Sequence, residues 1–304
     1  MTMKQAFSRR KVLSVGTRAL AGAALGNTIA PLAFAQTAQT APAQITRTFL
    51  EYASVLHGAG GNVFLVPGMD DKGCLLVDGG LSANTDALLA TVQTLTGQDK
   101  VHTLINTHFH PEQTGSNERI GAAGGIIIAH ENTQMCLRNS LLSASYEGRY
   151  GPLADVGIPS QTIRGDGTLK FAGQEIIYSY LPAAHTNGDI FLYFPILDTL
   201  VCGGPVTTDR WPVLDWCQGG WIGGLVRAYD ELAAVVSADT TVVPAHGPVV
   251  NGQAIVRMRN MYSELHLILA EQLNIGMGWD DIVKLNPLRQ YEDQYGDACE
   301  ICGA

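Results

Sequence analysis

The sequence is poor in charge, and poorer still in positive charge. Only 15% of its 304 residues are Asp, Glu, Lys or Arg, and 28 acids outnumber 19 bases, giving a formal net charge of -9. Binding nucleic acid through its phosphates needs a cationic face, so no nucleic-acid partner is expected. The chain also lacks an apolar run fit to span a bilayer. Its Ala-rich stretch from residue 19 is short and broken by glycine. No motif repeats at a solenoid period. Cysteine has little pattern: Cys74, Cys136, Cys202 and Cys217 are scattered and suit buried thiols, while Cys299 and Cys302 form "CEIC" at the extreme C-terminus. One CxxC alone identifies neither a disulfide nor a metal tail. What remains, 46% hydrophobic residues with 34 glycines, is enough for a large core in one domain, two at most.

The N-terminus reads as a targeting segment. "SRRKVLSVG" places Arg9-Arg10 before the Ala-rich stretch, and "AFA" (Ala33 to Ala35) offers a small-x-small cleavage site. This resembles a twin-arginine export signal. Residues 1–35 are therefore expected to be removed, leaving a periplasmic protein with the Tat translocase as its partner during export and no stable membrane association afterwards. The segment holds Lys4, Arg9, Arg10, Lys11 and Arg18 and no acid, so its loss would take the net charge from -9 to -14. Twin-arginine substrates cross the membrane folded, often with a cofactor already inserted, which suits a metalloprotein. The cysteines would then face an oxidising compartment. Residues 36–48 read as a linker, 49–298 as one domain with C-terminal helices, and 299–304 as a tail.

Within the domain, short apolar strands alternate with helical spacing. "NVFLVPG" and "GCLLVDGG" are strands cut by turn residues. Leu88, Leu89, Val92 and Leu95 recur at helical intervals. "LKFAGQEIIYSYLPAAH" reads as a hairpin, "DIFLYFP" and "DTLVCGG" as strands, "LVRAYDELAAVV" as a helix, and 132–165 as loop with a short helix. From 253 to 274 the spacing predicts a long amphipathic helix with Ile255, Met258, Met261, Leu265, Leu269 and Leu273 inward.

The histidines carry the chemistry. His108 with His110, then His185, then His246 each follow an apolar strand, and strand ends converge where a sheet meets its loops. Zinc takes imidazole nitrogen at about 2.0–2.1 Å, and catalytic sites commonly combine three protein ligands with water. A His-x-His pair can offer two ligands and His185 the third, lowering the pKa of a bound water towards about 7. His57, His102, His130 and His266 are lone histidines and read as ordinary core or surface residues.

The order "NTHFHPEQTGSN", "AAHTNGD", "VVPAHGP" resembles the metallo-β-lactamase fold superfamily, as do "LLVDGG" around Asp78 and "WPVLDWCQGGWIGG", over about residues 49 to 250. The resemblance implies an α/β (α+β) fold, a four-layer αβ/βα sandwich of two mixed sheets with helices outside and a metal site at one edge. It implies that His108, His110 and His185 form a complete three-histidine site. It also implies a damaged second site: Glu112 replaces an aspartate, Gln113 a histidine and Gly204 a bridging aspartate, leaving His246 unchanged. Gly204 offers no ligand atom, a Gln amide is a poor zinc ligand, and a second dication would be poorly compensated. One metal per chain is expected, and restoring Asp at 204 with His at 113 is expected to restore the second site.

The leading reading is a hydrolase using one zinc ion to activate water against an ester, lactone, amide or related bond of a small molecule. Glu112 is its candidate general base, and His246 its candidate substrate-orienting or oxyanion-stabilising group. Thr186 and Asp189 are expected to support the local turn with Asn187-Gly188, and Asp78 to be structural. The alternatives are an iron-dependent lyase or oxygen-using enzyme on the same ligands, and a non-catalytic binding or relay protein with a decayed site.

Overall fold

In the computed structural model the described residues are 43–69, 73–143 and 148–296, all within one compact unit, Ala41–Ala304. The proposed signal peptide and the CEIC tail lie outside them. The first strand, β1 (Thr46–Leu50), starts inside the stretch read as linker. It is followed by β2 (Ala53–His57), β3 (Val63–Val66), β4 (Cys74–Val77), helix α1 (Thr85–Thr96) and β5 (Val101–Ile105). The chain then makes two short helices, α2 (Pro111–Thr114) and α3 (Asn117–Ala122), and β6 (Ile126–His130). Helix α4 (Glu131–Leu137), a small hairpin of β7 (Leu141–Leu142) with β8 (Arg149–Tyr150), and β9 (Gln161–Ile163) complete the first half. Its seven-stranded sheet has the order β1-β2-β3-β4-β5-β6-β9, antiparallel as far as β4 and parallel from there on.

The second half forms a six-stranded sheet in chain order: β10 (Gly167–Phe171), β11 (Gln174–Leu181), β12 (Asp189–Phe194), β13 (Thr199–Thr207), β14 (Thr241–His246) and β15 (Val250–Asn251). β10 and β11 form the predicted hairpin. Its two-residue turn, Ala172-Gly173, has positive φ at both positions (47° and 76°), the backbone that matches strand twist in tight hairpins. Only β13 and β14 run parallel, and the crossover between them carries α5 (Ile222–Val235). Helices α6 (Gly252–Asn274), α7 (Trp279–Leu285) and α8 (Glu292–Tyr295) follow.

Alternation along the strands produces the four layers. Phe64, Val66, Leu75, Val77 and Ile105 face the second sheet and meet Ile190, Leu192, Phe194, Val201 and Val243, with the Phe64 and Phe194 rings 4.9 Å apart. Their neighbours Val63, Leu65, Leu76 and Leu104 face the other way, against Leu88 and Val92 of α1 and Ile120 of α3. On the far side, Leu181, Phe191, Leu200 and Val242 pack against Leu225, Tyr229 and Leu232 of α5 and Ile255, Met258 and Tyr262 of α6. The inward stripe of α6 ends at Leu269. Leu273, expected inside, is 61% exposed, because the helix outruns the sheet it covers.

Candidate metal centre

The site forms where parallel β4 and β5 end side by side, with Val77 opposite Ile105. Beyond β4 the chain turns at Asp78, whose φ is 65°. Its carboxylate accepts hydrogen bonds from the Thr107 backbone N–H (2.8 Å) and the Thr107 hydroxyl (2.9 Å). Burial pushes the Asp78 carboxyl up to about 8 against the opposing pull of those bonds. Asn106 pairs with Asn117 and donates to the Gln113 carbonyl (2.9 Å). These ties fix the loop from which His108 and His110 project. α2 begins directly after His110, with Pro111 at its first position, where the missing N–H is no loss. His185 comes from the other sheet, in the loop between β11 and β12. There Asp189 accepts from the Thr186 N–H (2.6 Å) and hydroxyl (2.9 Å). Thr186 and Asp189 thus shape the turn behind His185, and neither lines the cavity in front of it.

The three imidazoles of His108, His110 and His185 are buried, and one nitrogen from each falls within 4.8 Å of the others. Their ring planes are nearly perpendicular, 81° to 90°, with centroids 4.7–4.8 Å apart. Their hydrogen bonds fix which nitrogens point inward. His185 Nδ1–H donates to the Val213 carbonyl, leaving Nε2 bare. His110 Nε2–H donates to Asp215 Oδ2 (2.9 Å), which turns Nδ1 towards His185. The Thr107 hydroxyl gives its proton to Asp78 and accepts from His108 Nδ1–H (3.0 Å), leaving Nε2 bare.

His185 Nε2 and His110 Nδ1 then face each other at 3.0 Å. Burial, reinforced by the neighbouring His110, pushes His185 down to about 3, and burial holds His108 well below the usual histidine range. Imidazoles whose outer nitrogens are engaged and whose inner nitrogens converge are the donor set of a bound transition metal. The residues fit such an ion. No other group of three or more potential ligands converges in this way among the described residues.

The three rings line a cavity of about 340 Å³, with Glu112 and His246 in its wall alongside Leu81, Trp211 and Val213. Glu112 is on the first turn of α2, and His246 ends β14. Asn62 fastens that strand end by donating to the carbonyls of Pro244 (3.0 Å) and Gly247 (2.9 Å). Burial lowers the His246 ring, as does nearby Arg210, while Glu112 and Asp209 oppose them. Gln113 is in a different setting. It is 1% exposed, stands outside the cavity lining, and both side-chain amide atoms lack a hydrogen-bond partner. Gly204 lines the cavity.

The remaining histidines have other engagements. His57 bonds Thr48 and Asn62, His102 bonds Thr103, His130 stacks on Tyr180 at 3.9 Å, and His266 meets Trp221 edge-on. Sequence reasoning missed Asp215. It is wholly buried and receives His110 Nε2–H together with the Ser143 hydroxyl (2.5 Å). Its segment also wraps His185: the Asp215 N–H donates to the His185 carbonyl (2.9 Å), and the Trp221 N–H to the Ala184 carbonyl (3.2 Å). The available signal was a lone carboxylate among tryptophans in "WPVLDWCQGGW", where a buried charge needs a partner.

Comparison with known proteins agrees with this architecture. No curated protein matches the sequence. Among solved structures, a metallo-beta-lactamase from Pontibacter korlensis superposes with a TM-score of 0.58 at 20% identity, over 72% of this chain and 99% of that one. DIM-1 metallo-beta-lactamase gives 0.57 at 16% identity, over 74% and 99%. A double mutant of the sec-alkyl sulfatase PisA1 gives 0.65 at 15% identity, over 81% of this chain but 45% of the sulfatase. These likenesses concern the fold. The sequence profile of the metallo-beta-lactamase superfamily matches residues 58–247, and the chain belongs to that superfamily, whose members are mostly metal-dependent hydrolases.

Proposed function

We propose that this protein is a hydrolase working with one zinc ion held by His108, His110 and His185, and that it cleaves an ester, lactone, amide or related bond of a small molecule. The observation that carries the reading is the convergence of three buried imidazoles, one nitrogen from each within 4.8 Å of the others. A bound zinc would supply Lewis acidity and make water a competent nucleophile near neutral pH. The cavity volume of about 340 Å³ matches a small ligand. Glu112 is the carboxylate in the cavity wall, placed to accept the proton of attacking water. His246, in the wall of the same cavity and lowered by burial, orients the substrate by hydrogen bonding. Leu81, Trp211 and Val213 exclude bulk water from one side and leave an apolar surface for the substrate's body. Export by the twin-arginine route to the periplasm belongs to the same proposal, resting on Arg9-Arg10 and the "AFA" site.

The test is metal content of protein produced without added metal, followed by a panel of ester, lactone and amide substrates on that metal form. Close to one zinc per chain, with turnover lost on chelation and regained on zinc addition, is the expected result. Metal-free protein that takes up no ion on titration would refute the reading. Iron colour in the purified protein would replace zinc with a redox metal on the same ligands.

A further inference from the structure

Trp211 lines the cavity in front of the three histidines, yet only 4% of it is exposed. The rest of the indole is held by the last described stretch of the chain, residues 288–296. Tyr295 tilts against it with ring centroids 4.8 Å apart, and Tyr291 meets it edge-on at 6.4 Å. The indole Nε1–H donates to the Gly296 carbonyl (3.0 Å). Leu288 and Tyr295 pack into the same hydrophobic cluster as Trp211. This stretch is braced in turn: Asn286 donates to Glu292 Oε1 (2.7 Å), and the Gly296 N–H closes α8 on the Glu292 carbonyl (2.9 Å). A wall of the cavity is therefore positioned by residues that follow His246, the last cavity residue in the chain, with all of α6 and α7 between.

That wall offers carbon. Trp211 gives its one polar side-chain atom to Gly296, and the Val213 carbonyl takes His185 Nδ1–H. Leu81 donates its N–H to the Ala59 carbonyl, and its own carbonyl accepts from the Asn84 N–H. A ligand hydroxyl or amide seated against these three residues would leave water without a new partner, which is costly, whereas hydrocarbon gains by burial. We propose that Trp211 is a specificity-determining residue of the cavity: the substrate is an acyl compound whose unsubstituted hydrocarbon chain ends against the indole, and Tyr295 is the positioning residue that sets where it ends. This rests on the hydrolase reading above, since the ester, lactone and amide bonds named there each release a carboxylate.

The probes are straight-chain carboxylates from acetate to decanoate, together with their ω-hydroxy forms. They are titrated by calorimetry into the zinc-loaded full chain as wild type, Trp211→Phe and Tyr295→Leu. Wild-type affinity should rise about fourfold per methylene until the chain reaches Trp211, and then stop rising. The ω-hydroxy form of the longest chain that still gains should bind about tenfold or more weakly than its parent. Both variants should move the limit to longer chains. Tyr295→Leu should do so with zinc per chain and acetate affinity unchanged, which a general loss of packing would not give. If Tyr295→Leu fails to fold, Trp211→Phe reads the same limit, and the wild-type series needs neither. Affinity independent of chain length, equal binding of the hydroxylated chain, a limit unmoved in both variants, or loss of zinc from Tyr295→Leu would each overturn the proposal. A wild type that takes up no zinc defeats the metal reading, while the same series on the metal-free chain still decides whether the wall sets the limit.

Discussion

Replacing Asp215 tests whether the hydrogen bonds behind the three histidines set their metal affinity. The carboxylate accepts from His110 Nε2 at 2.9 Å and from the Ser143 hydroxyl at 2.5 Å, with no exposure to solvent. By accepting at Nε2 it turns Nδ1 towards the other two rings. Loss of such a partner typically weakens metal affinity by about 10- to 100-fold, equivalent to roughly 1.4–2.7 kcal/mol. Asp215→Asn keeps an oxygen that can accept from Nε2–H but loses the charge, so it belongs at the low end. Asp215→Ala leaves the buried His110 donor without its acceptor, at a cost of about 1–3 kcal/mol, and belongs at the high end with a lower melting temperature. The assay is chelator competition for zinc, with the visible spectrum of the cobalt form reporting ligand geometry. Wild-type affinity and an unchanged cobalt spectrum in both variants would refute the assignment of Asp215 as the group that orients His110.

Three further outcomes are expected. His108→Ala, His110→Ala and His185→Ala should each lose the tightly held metal, read by elemental analysis after dialysis against chelator; retention in any of them removes that residue from the ligand set. Glu112→Gln should lower turnover by about 10² to 10⁴ with metal content unchanged. A parallel fall in affinity would make Glu112 a ligand, and no change in either would make it a relic. Converting Arg9 and Arg10 to lysine should leave unprocessed precursor inside the cell, visible by fractionation, and undiminished mature protein in the periplasm would exclude the twin-arginine route.

The fold was legible because its cause is local and repeated. Alternation in "NVFLV" and "CLLV" sends Phe64, Val66, Leu75 and Val77 to one side and their neighbours to the other, and the two faces become the sheet–sheet and sheet–helix layers. The histidines were legible for a related reason. Each follows a buried strand, and the ends of β5 and β11 place them at one edge of the sandwich. What was not legible depends on contacts between segments distant in sequence. Asp215 meets His110 across 105 positions, and no spacing rule connects them. Leu273 continues the helical stripe in sequence, yet the sheet beneath it has ended. A glycine at 204 reads as the loss of a ligand, and only the structure shows how closely the His185 ring stands against it.

The two losses in the second half-site differ in kind, and the difference bears on how the site works. Gln113 packs against Gly61, where a Cβ would come within 3.1 Å of its amide nitrogen, and is not part of the cavity lining. Glu112 and His246 remain in the cavity wall, close enough that Glu112 raises the His246 ring against the burial that lowers it. A half-site that had simply decayed would have no reason to keep a carboxylate and an imidazole electrostatically coupled in front of three converging ligands, since each must be desolvated to be there. Gly204 stands against the His185 ring, and the Glu112 carboxylate and the His246 ring stand in the wall of the cavity that the three converging histidines line.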